Sequence, residues 1–436
     1  MKKFLVALLS LGLIVAFSMS AAAADVKFSG QYYVVGVYND NLALKGSDDA
    51  YSRAYFWNRM RLGMKFKVAE GLTFTTRFDA FEKQWGNTNW NGGSQDKSNS
   101  SLAAVKGGNP KLQENIEMEH AYVTFKTAVG QFNVGYQAAD TWGTVFGDTP
   151  GSRNRVKWLL PVGPFTGLFV YEKVFESDRS YQTGYGPGTT DADWDNYALA
   201  GIFKWKGGNA GLLGKYINSR YPRPLASYKT EMFAVIPYIK ATFGPVYVEG
   251  ELIYLAGKSK KYDNAAAGSD VNKEGLGAYA LAKVKLGPAY VGYQIGYSSG
   301  DDGSDATKDK TGPASSTSWN PNLIWGQANL NVWAMGGVQE PNKQNLLLHN
   351  VFGGFNVTPK VKIEGSFSYM QADKTAAGVS KDYGMEADAQ ASYKIYDNLS
   401  YMVGAGYLWT GDYYKGATNK AIGNDYLVMN KLTLKF

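Results

Sequence analysis

The chain of 436 residues contains no cysteine and only two histidines. These shortages exclude disulfide cross-links, thiol nucleophiles and most of the ligand sets that transition metals use. We therefore expect no cofactor and no metal centre. Beyond its N-terminus, the sequence also lacks any apolar run of the roughly 20 residues that a membrane-spanning helix requires.

Strong charge is absent as well, because 45 basic and 38 acidic side chains leave a net charge of only +7. The basic side chains alternate along strand-like segments and form no cluster, which argues against a nucleic-acid partner. Aromatic residues and glycine are abundant instead, with 31 Tyr, 21 Phe, 11 Trp and 51 Gly. Aromatic girdles with glycine-containing turns are typical of a transmembrane β-barrel, in which only every second strand residue must be apolar.

The last residues of the chain form an alternating strand that ends on an aromatic side chain. Leu432, Leu434 and Phe436 share one face, whereas Lys431 and Lys435 share the other. An apolar strand edge at a free chain end invites aggregation, unless the strand closes a barrel whose apolar face meets lipid. The ending therefore predicts an outer-membrane β-barrel.

The N-terminus has the pattern of an export signal. Lys2 and Lys3 precede an apolar core at 4–17, and Ala22 to Ala24 offer a small-residue cleavage site. The core is too short for a spanning helix, which is the alternative interpretation. We predict a signal peptide over 1–24 and a barrel domain over 25–436, located in the outer membrane of a Gram-negative bacterium.

Short turns and long polar loops alternate along the rest of the sequence. The short turns carry Gly, Pro or Asn and lie at 69–71, 128–130, 161–164, 206–209, 243–245, 286–288, 357–360 and 396–398. The polar loops lie at 39–51, 86–113, 139–153, 178–193, 222–228, 258–273, 299–343, 374–381 and 412–423.

Eight turns and nine loops predict an all-β fold, a transmembrane antiparallel β-barrel of 18 strands. Its short turns would be periplasmic and its long loops extracellular. Sixteen strands remain an alternative if segments 154–162 and 209–221 are not separate strands. A soluble β-sandwich or propeller, the other alternative, would have connections of similar length on both sides.

Strand alternation assigns one face of the wall to lipid and the other to the interior. In the strand 59–68, Met60 and Leu62 oppose Arg59 and Arg61. Arg or Lys facing lipid at the bilayer midplane costs roughly 2–4 kcal/mol, so these charges must point into a wet interior. The predicted residues of the lumen wall are Lys65, Glu249, Glu251, Lys283, Lys362, Glu364, Glu386, Asp388 and Lys431.

Three segments have mixed faces. If Val123 points outward, Glu117 and Glu119 would meet lipid, unless they lie above the membrane or a β-bulge changes the parity. Segments 165–177 and 231–242 are similarly ambiguous, and their mixed faces could mark a subunit interface.

The third long loop, 139–153, is the candidate for a constriction. It is compact and rich in glycine, it carries Asp140 and Asp148, and Arg153 and Arg155 follow. If it folds inward, its acids would face a basic wall and set a transverse field. The predicted wall residues are Arg59, Arg61 and Arg77, with Asp79 on the same strand as Arg77. In the alternative, the loop stays outside and the arginines only solvate the lumen.

Lysines recur near the predicted periplasmic ends of the strands. Some would reach lipid head groups, and the rest would make the inner vestibule positive, which predicts a mild preference for anions. They are Lys65, Lys67, Lys204, Lys206, Lys240, Lys283, Lys285, Lys360, Lys362, Lys394, Lys431 and Lys435.

Three other classes of function would place specific demands on the sequence. An outer-membrane hydrolase would need a base held by an orienting acid, but only His120 and His349 exist and neither has such a setting. An adhesive protein would use loops 86–113 and 299–343, the second of which contains Trp319, Trp325 and Trp333. A sheath around a redox protein would need a second chain, because the sequence has no haem-attachment motif.

Three stretches resemble one family. Arg59–Phe66, Asn115–Val123 and Tyr393–Asp412 are similar to the outer-membrane homotrimeric porins of sulfate- and metal-reducing bacteria. The resemblance implies a trimer, a general diffusion channel and an inward third loop carrying acid, here Asp140 or Asp148. The resemblance also suggests a role that accompanies extracellular metal reduction.

Outer-membrane proteins in general further imply that Phe436 is read by the barrel-assembly machinery. The other expected partners are outer-membrane lipid and lipopolysaccharide. The prediction is thus a non-catalytic channel for passive diffusion of ions and small hydrophilic solutes.

Overall fold

The structure, a computed structural model, describes residues 25–46, 52–85, 116–148, 151–176, 192–314, 318–326 and 343–436. The predicted signal peptide 1–24, the loop 86–113 and Trp333 lie outside these residues.

Eighteen long strands form the wall of one closed barrel, and each pairs antiparallel with its neighbours in sequence. β1 pairs with both β2 and β19, which closes the sheet. The wall strands are β1 (Asp25–Asn39), β2 (Arg53–Ala69), β3 (Leu72–Gln84), β4 (Glu117–Thr127), β5 (Gly130–Ala139), β6 (Gly151–Val162), β7 (Phe165–Phe175), β8 (Trp194–Trp205), β9 (Gly208–Ser219), β10 (Tyr228–Phe243), β11 (Val246–Tyr262), β12 (Val271–Leu286), β13 (Ala289–Ser298), β15 (Leu346–Asn356), β16 (Val361–Gln371), β17 (Asp382–Tyr396), β18 (Leu399–Thr410) and β19 (Asp425–Lys435).

The remaining elements are short. β14 (Lys308–Asp309) lies in the longest loop and pairs in parallel with β12. A one-turn helix spans Arg223–Ala226, and a 3₁₀ turn spans Asp412–Lys415. In the part of the chain that the structure describes, no helix is long and apolar enough to cross a membrane.

The predicted count of 18 wall strands is confirmed, and the alternative of 16 is wrong. The two weak segments form β6 and β9, each of which pairs along its length with both neighbours. The short turns fall where they were predicted, and in six of the eight a glycine adopts positive φ, as at Gly163 and Gly244. The predicted loop 258–273 is shorter in the structure, since β11 continues to Tyr262 and β12 begins at Val271.

The exterior of the barrel is apolar and aromatic. On β10, Phe233, Val235 and Ile239 are exposed on the outside, whereas Ala234 and Tyr238 are buried on the inside. The ambiguous segment 231–242 therefore alternates normally.

Aromatic pairs stand on the exterior at two heights. Phe165 and Phe203 lie 4.8 Å apart between ring centroids near the turns, and Tyr171 and Tyr197 lie 5.4 Å apart nearer the loops. The six-residue separation on β7 corresponds to roughly 20 Å along the strand. Two such belts are what an apolar band between two interfaces requires.

A β-bulge in β4 explains which way Glu117 and Glu119 point. The register with β3 shifts between Arg77 and Phe78, so Met118 faces outward opposite Phe78, while Glu117 lies opposite Asp79 on the inner face. Glu119 accepts a hydrogen bond from Arg77. The parity change keeps both carboxylates off the apolar exterior.

Phe436 closes the barrel against Gly30 of β1. Gly30 N donates to Phe436 O at 2.7 Å, and Phe436 N donates to Gly30 O at 3.0 Å. The phenyl ring lies directly over Gly30, where a Cβ atom would come within 2.3 Å of Cζ. A larger side chain at position 30 would therefore displace the terminal ring, which is itself 60% exposed.

Replacing Phe436 with alanine is expected to lower the yield of assembled barrel in outer membranes several-fold, because the ring packs on the first strand and the sequence predicts that the assembly machinery reads it. Heat-modifiable migration of membrane fractions on gels would measure that yield. Lys435→Ala, which alters only the neighbouring side chain, serves as the control. Equal yields of the two variants would contradict a special role for the ring.

Candidate functional site

Charged side chains cover the inner face from β2 to β9. The first group surrounds Asp79, whose side chain is 1% exposed. Arg61 donates to both of its carboxylate oxygens, at 2.7 and 2.6 Å. Arg59 lies 3.6 Å from Asp79 and 3.3 Å from Glu82. The bidentate geometry fixes the Arg61 guanidinium against the wall.

Arg77 links this group to the next strands. Its guanidinium is 3.1 Å from the Glu119 carboxylate, and the Ser152 hydroxyl donates to the same carboxylate oxygen at 3.3 Å. Ser152 is the second residue of β6, so the Glu119 carboxylate connects β3, β4 and β6.

The second group surrounds Glu172 of β7, whose side chain is 2% exposed. It receives hydrogen bonds from Arg153 at 2.9 Å and from Asn196 at 2.7 Å, and Arg155 lies 3.2 Å away. The Lys215 ammonium lies 3.7 Å away on β9. A nearly buried carboxylate thus holds three cationic side chains from two strands, which offset the cost of its desolvation.

Asp140 joins the third loop to the second group. It is 2.6 Å from Arg153 and 2.8 Å from Lys215. Burial alone would raise the pKa of Asp140, but the charges of Lys215 and Arg153 outweigh burial and hold that pKa below its usual range. The loop therefore leaves the wall at an ionised, doubly paired carboxylate.

We call the eleven side chains of these two groups the charged arc. Its members are Arg59, Arg61, Arg77, Asp79, Glu82, Glu119, Asp140, Arg153, Arg155, Glu172 and Lys215.

From Asp140, the third loop folds into the barrel and lies against β10 to β12. Trp142 Nε1 donates to Ile236 O at 2.9 Å, and Thr144 N donates to the Glu251 carboxylate. Phe146 is fully buried and stacks on Tyr279, with 5.4 Å between ring centroids.

A second segment, residues 318–326 of the longest loop, also lies inside. Glu386 of β17 accepts hydrogen bonds from Ile324 N at 2.7 Å and Trp325 N at 2.8 Å. Asp388, two residues further on the same face, accepts from Leu323 N at 3.3 Å. Two wall carboxylates thus satisfy three successive backbone donors that would otherwise be buried unpaired.

The two inward pieces meet at aromatic rings. Trp319 lies 5.1 Å from Phe146 in an edge-to-face arrangement, and its indole donates to Gln294 at 2.9 Å. The Lys343 ammonium donates to Trp319 O and lies 3.2 Å from Asn320 Oδ1, and burial lowers the pKa of Lys343 to about 7. The joined loops therefore occupy part of the interior beside β10 to β12, and the third loop contacts the second group of the charged arc through Asp140.

The residues predicted to form the constriction are grouped differently in the structure. Asp140, Arg153 and Arg155 lie together, as do Arg59, Arg61 and Asp79. The ion pairs of Arg59, Arg61 and Arg77 are formed with acids of the wall and not with Asp140 or Asp148. Asp148 lies nearer Lys240, and burial raises its pKa.

The residues predicted to form the lumen wall have two different kinds of surroundings in the structure. Glu251 and Glu386 are buried, and like Asp388 they hold loop backbone, which corrects the expectation that they line open water. The other predicted residues lie nearer the turns. The ammonium groups of Lys283, Lys362 and Lys431 lie over tyrosine rings. Glu249 and Glu364 accept hydrogen bonds from tyrosine hydroxyls, and Lys65 is exposed.

Sequence reasoning missed Glu172, Lys215 and the inward course of 318–326. Glu172 and Lys215 lie on strands whose alternation is weak in the sequence, because apolar residues such as Leu168, Val170 and Leu213 share the inner face with them. The run Asn320-Pro321-Asn322, which lies between Trp319 and Trp325, is the sequence feature that could have indicated a loop segment packed inside the barrel.

Comparisons with known proteins identify the fold. No family model and no curated protein matches the chain. Three solved structures, each covering 94% of this chain, are similar. Pseudomonas aeruginosa OccK8 (OprE) has a TM-score of 0.55 and 13% identity over 98% of its own chain. A BenF-like porin from Pseudomonas fluorescens Pf-5 has a TM-score of 0.52 and 11% identity over 99%. Pseudomonas aeruginosa OccK2 (OpdF) in complex with glucuronate has a TM-score of 0.52 and 10% identity over 98%. This chain thus has the β-barrel fold of outer-membrane porins.

Proposed function

We propose that the protein is a channel in the outer membrane of a Gram-negative bacterium, through which ions and small hydrophilic solutes diffuse passively. The proposal rests on one observation, the difference in polarity between the outer and inner faces of the closed barrel wall. The exterior is apolar between aromatic belts, and the interior carries the charged arc. Charges on an interior wall require water, and water inside a closed barrel makes a path.

The charge of the arc supports a mild preference for anions. It contains six cationic and five acidic side chains, and Lys157 and Lys431 add positive charge on the same inner face. The OccK2 structure was solved with glucuronate, an anionic sugar, which agrees with such a preference in a barrel of this fold. Small anions are therefore the solutes we expect to pass most readily.

Assembly and partners belong to the same proposal. We infer a homotrimer in lipid and lipopolysaccharide, because three stretches of the sequence resemble homotrimeric porins and a trimer is a closed symmetric assembly. The barrel-assembly machinery would read Phe436. Cross-linking in membranes, with a band at three times the monomer mass, tests the trimer.

The rival functions have less support. The interior already holds two of the chain's own loops, which leaves less room for the partner that a sheath in metal reduction would enclose. His349 bonds to Tyr293 on the exterior face, a setting that offers no nucleophile and orienting acid.

Planar-bilayer recording of the purified protein tests the channel. We expect ohmic openings that occur in multiples of three and a reversal potential displaced toward that of chloride in a potassium chloride gradient. A silent bilayer would contradict the channel, and clear cation selectivity would contradict the charge argument.

A further inference from the structure

The barrel wall has a free strand edge on the side of the short turns, which is the predicted periplasmic side. β19 ends at Phe436, opposite Gly30, whereas β1 starts at Asp25 and over its first five residues pairs only with β2. Every other strand end on this side is joined to its neighbour by a short turn. We call residues 25–29, with their partners 63–67 of β2, the tongue. It spans roughly 15 Å along the strand direction.

The backbone of the tongue has hydrogen-bonding groups on its free side. Gly30 exchanges two hydrogen bonds with Phe436, and in an antiparallel ladder every second residue points to the same side. The N–H and C=O groups of Phe28 and Val26 therefore point away from β2, into the space beyond Phe436. No strand of the described ranges pairs with them there. Such an edge is a template to which a further strand can add.

The inner face of the tongue carries like charges. Lys27 and Lys65 lie directly opposite each other in the register of β1 and β2, and both side chains are exposed. Lys67, the next residue of β2 on this face, lies opposite Asp25. Neither Lys27 nor Lys65 forms an ion pair in the part of the chain that the structure describes. Like charges directly opposite each other destabilise a ladder, so an added negative charge would stabilise this one.

The outer face of the tongue is apolar, because it consists of Val26 and Phe28, and Phe28 is 62% exposed. A strand that continued both faces would therefore alternate apolar residues outside with acidic residues inside. The terminal carboxylate of Phe436 would face the first N–H of such a strand and would not repel it. A lipid head group would meet the lysines but leave the free backbone groups without partners. The edge therefore favours a polypeptide.

We propose that the tongue binds an acidic, extended segment of a periplasmic protein, which adds to the free edge of β1 as a strand. Main-chain hydrogen bonds to Phe28 and Val26 would supply the affinity, and the charges of Lys27 and Lys65 would select acidic side chains. A protein held there would meet solutes as they leave the barrel. The inference goes beyond the proposed channel and does not depend on conduction.

The probe is a fluorescent hexapeptide of alternating glutamate and valine, titrated with the purified protein in uncharged micelles. Fluorescence anisotropy is expected to show saturable binding at submillimolar concentrations. A peptide with glutamine in place of glutamate should bind about tenfold more weakly, because it lacks the charges. A peptide N-methylated at its valines, which would lie opposite Phe28 and Val26, keeps the charges but loses the donors and should not bind.

Two variants of the protein test the two parts of the tongue. Phe28→Pro removes the N–H on the free side, where proline is tolerated in a strand, and should abolish binding. Phe28→Ala, its matched control, keeps the N–H and should keep most of the affinity. The double variant Lys27→Gln with Lys65→Gln should bind the peptide about five- to tenfold more weakly, as expected for the loss of two exposed ion pairs.

Lys204→Gln with Lys206→Gln is the control for the double variant. It removes two exposed lysines from β8 and its turn, at the same end of the barrel, and should leave the affinity unchanged. Heat-modifiable migration on gels shows whether each variant has folded.

Three results would overturn the proposal. They are no saturable binding to the wild type, equal binding of the N-methylated peptide, and undiminished binding to folded Phe28→Pro. A change of oligomeric state in Phe28→Pro, measured by sedimentation, would also overturn it, because a second copy of the chain would then cover the edge. A silent planar bilayer, in contrast, would contradict the channel and leave the binding result standing.

Discussion

Replacing Glu386 with alanine is expected to raise the single-channel conductance by a factor of about 1.5 to 2, because the constriction sets the resistance of such a pore. The Glu386 carboxylate is fully buried and accepts the backbone N–H groups of Ile324 and Trp325. Leaving each donor buried without an acceptor costs about 1–3 kcal/mol. The inward segment 318–326 should then leave the wall for part of the time and widen the path.

Glu364→Gln is the matched control for this variant. Glu364 also faces the interior, but its bonds are with Tyr290, Lys362 and Gln390, none of which belongs to the inward segment. Current noise should increase in Glu386→Ala and not in the control. A conductance equal to the wild-type value, in protein that still migrates as a folded barrel, would show that the segment does not limit the current.

Replacing Glu172 with glutamine is expected to raise the anion-to-cation permeability ratio about two- to threefold, since one negative charge disappears from the charged arc. The same change removes the negative charge that Arg153 and Arg155 share and replaces one of the two carboxylate oxygens with an amide N–H donor. Removing one partner from a buried pair costs about 3–5 kcal/mol, so the unfolding temperature should fall as well. Reversal potentials in a salt gradient and thermal unfolding in micelles measure the two effects.

Glu176→Gln removes the same charge from an exposed position. Glu176 is 61% exposed and pairs with Lys173 beyond the end of β7. Exposed pairs contribute little and are screened by salt, so neither selectivity nor thermal stability should change measurably. A permeability ratio that shifts equally in both variants would mean that total charge matters and the position of Glu172 does not.

The barrel itself could be predicted from the sequence because its rules are local. Gly163 and Gly244 mark turns by the backbone conformation that they permit, and the alternation in 59–68 assigns each side chain to a face. Phe436 falls on the face that its alternation with Leu434 and Leu432 predicts. Each of these signals is contained within about ten residues.

The arrangement of the interior could not be predicted, because it depends on contacts between residues far apart in the chain. Ile324 and Glu386 are 62 residues apart, and Thr144 and Glu251 are 107 apart. A buried glutamate that accepts loop N–H groups has the same local sequence as one that faces water. The bulge at Glu119 is of the same kind, since it depends on the register with Arg77 of the preceding strand.

The sequence by itself therefore determined a closed barrel of 16 or 18 strands and its two faces, because hydrophobic alternation and turn chemistry act at short range. Only the tertiary structure decided which charges neutralise one another and which loops enter the barrel. Those outcomes depend on ion-pair geometry and on the pairing of buried backbone groups, which exist only after the sheet has closed.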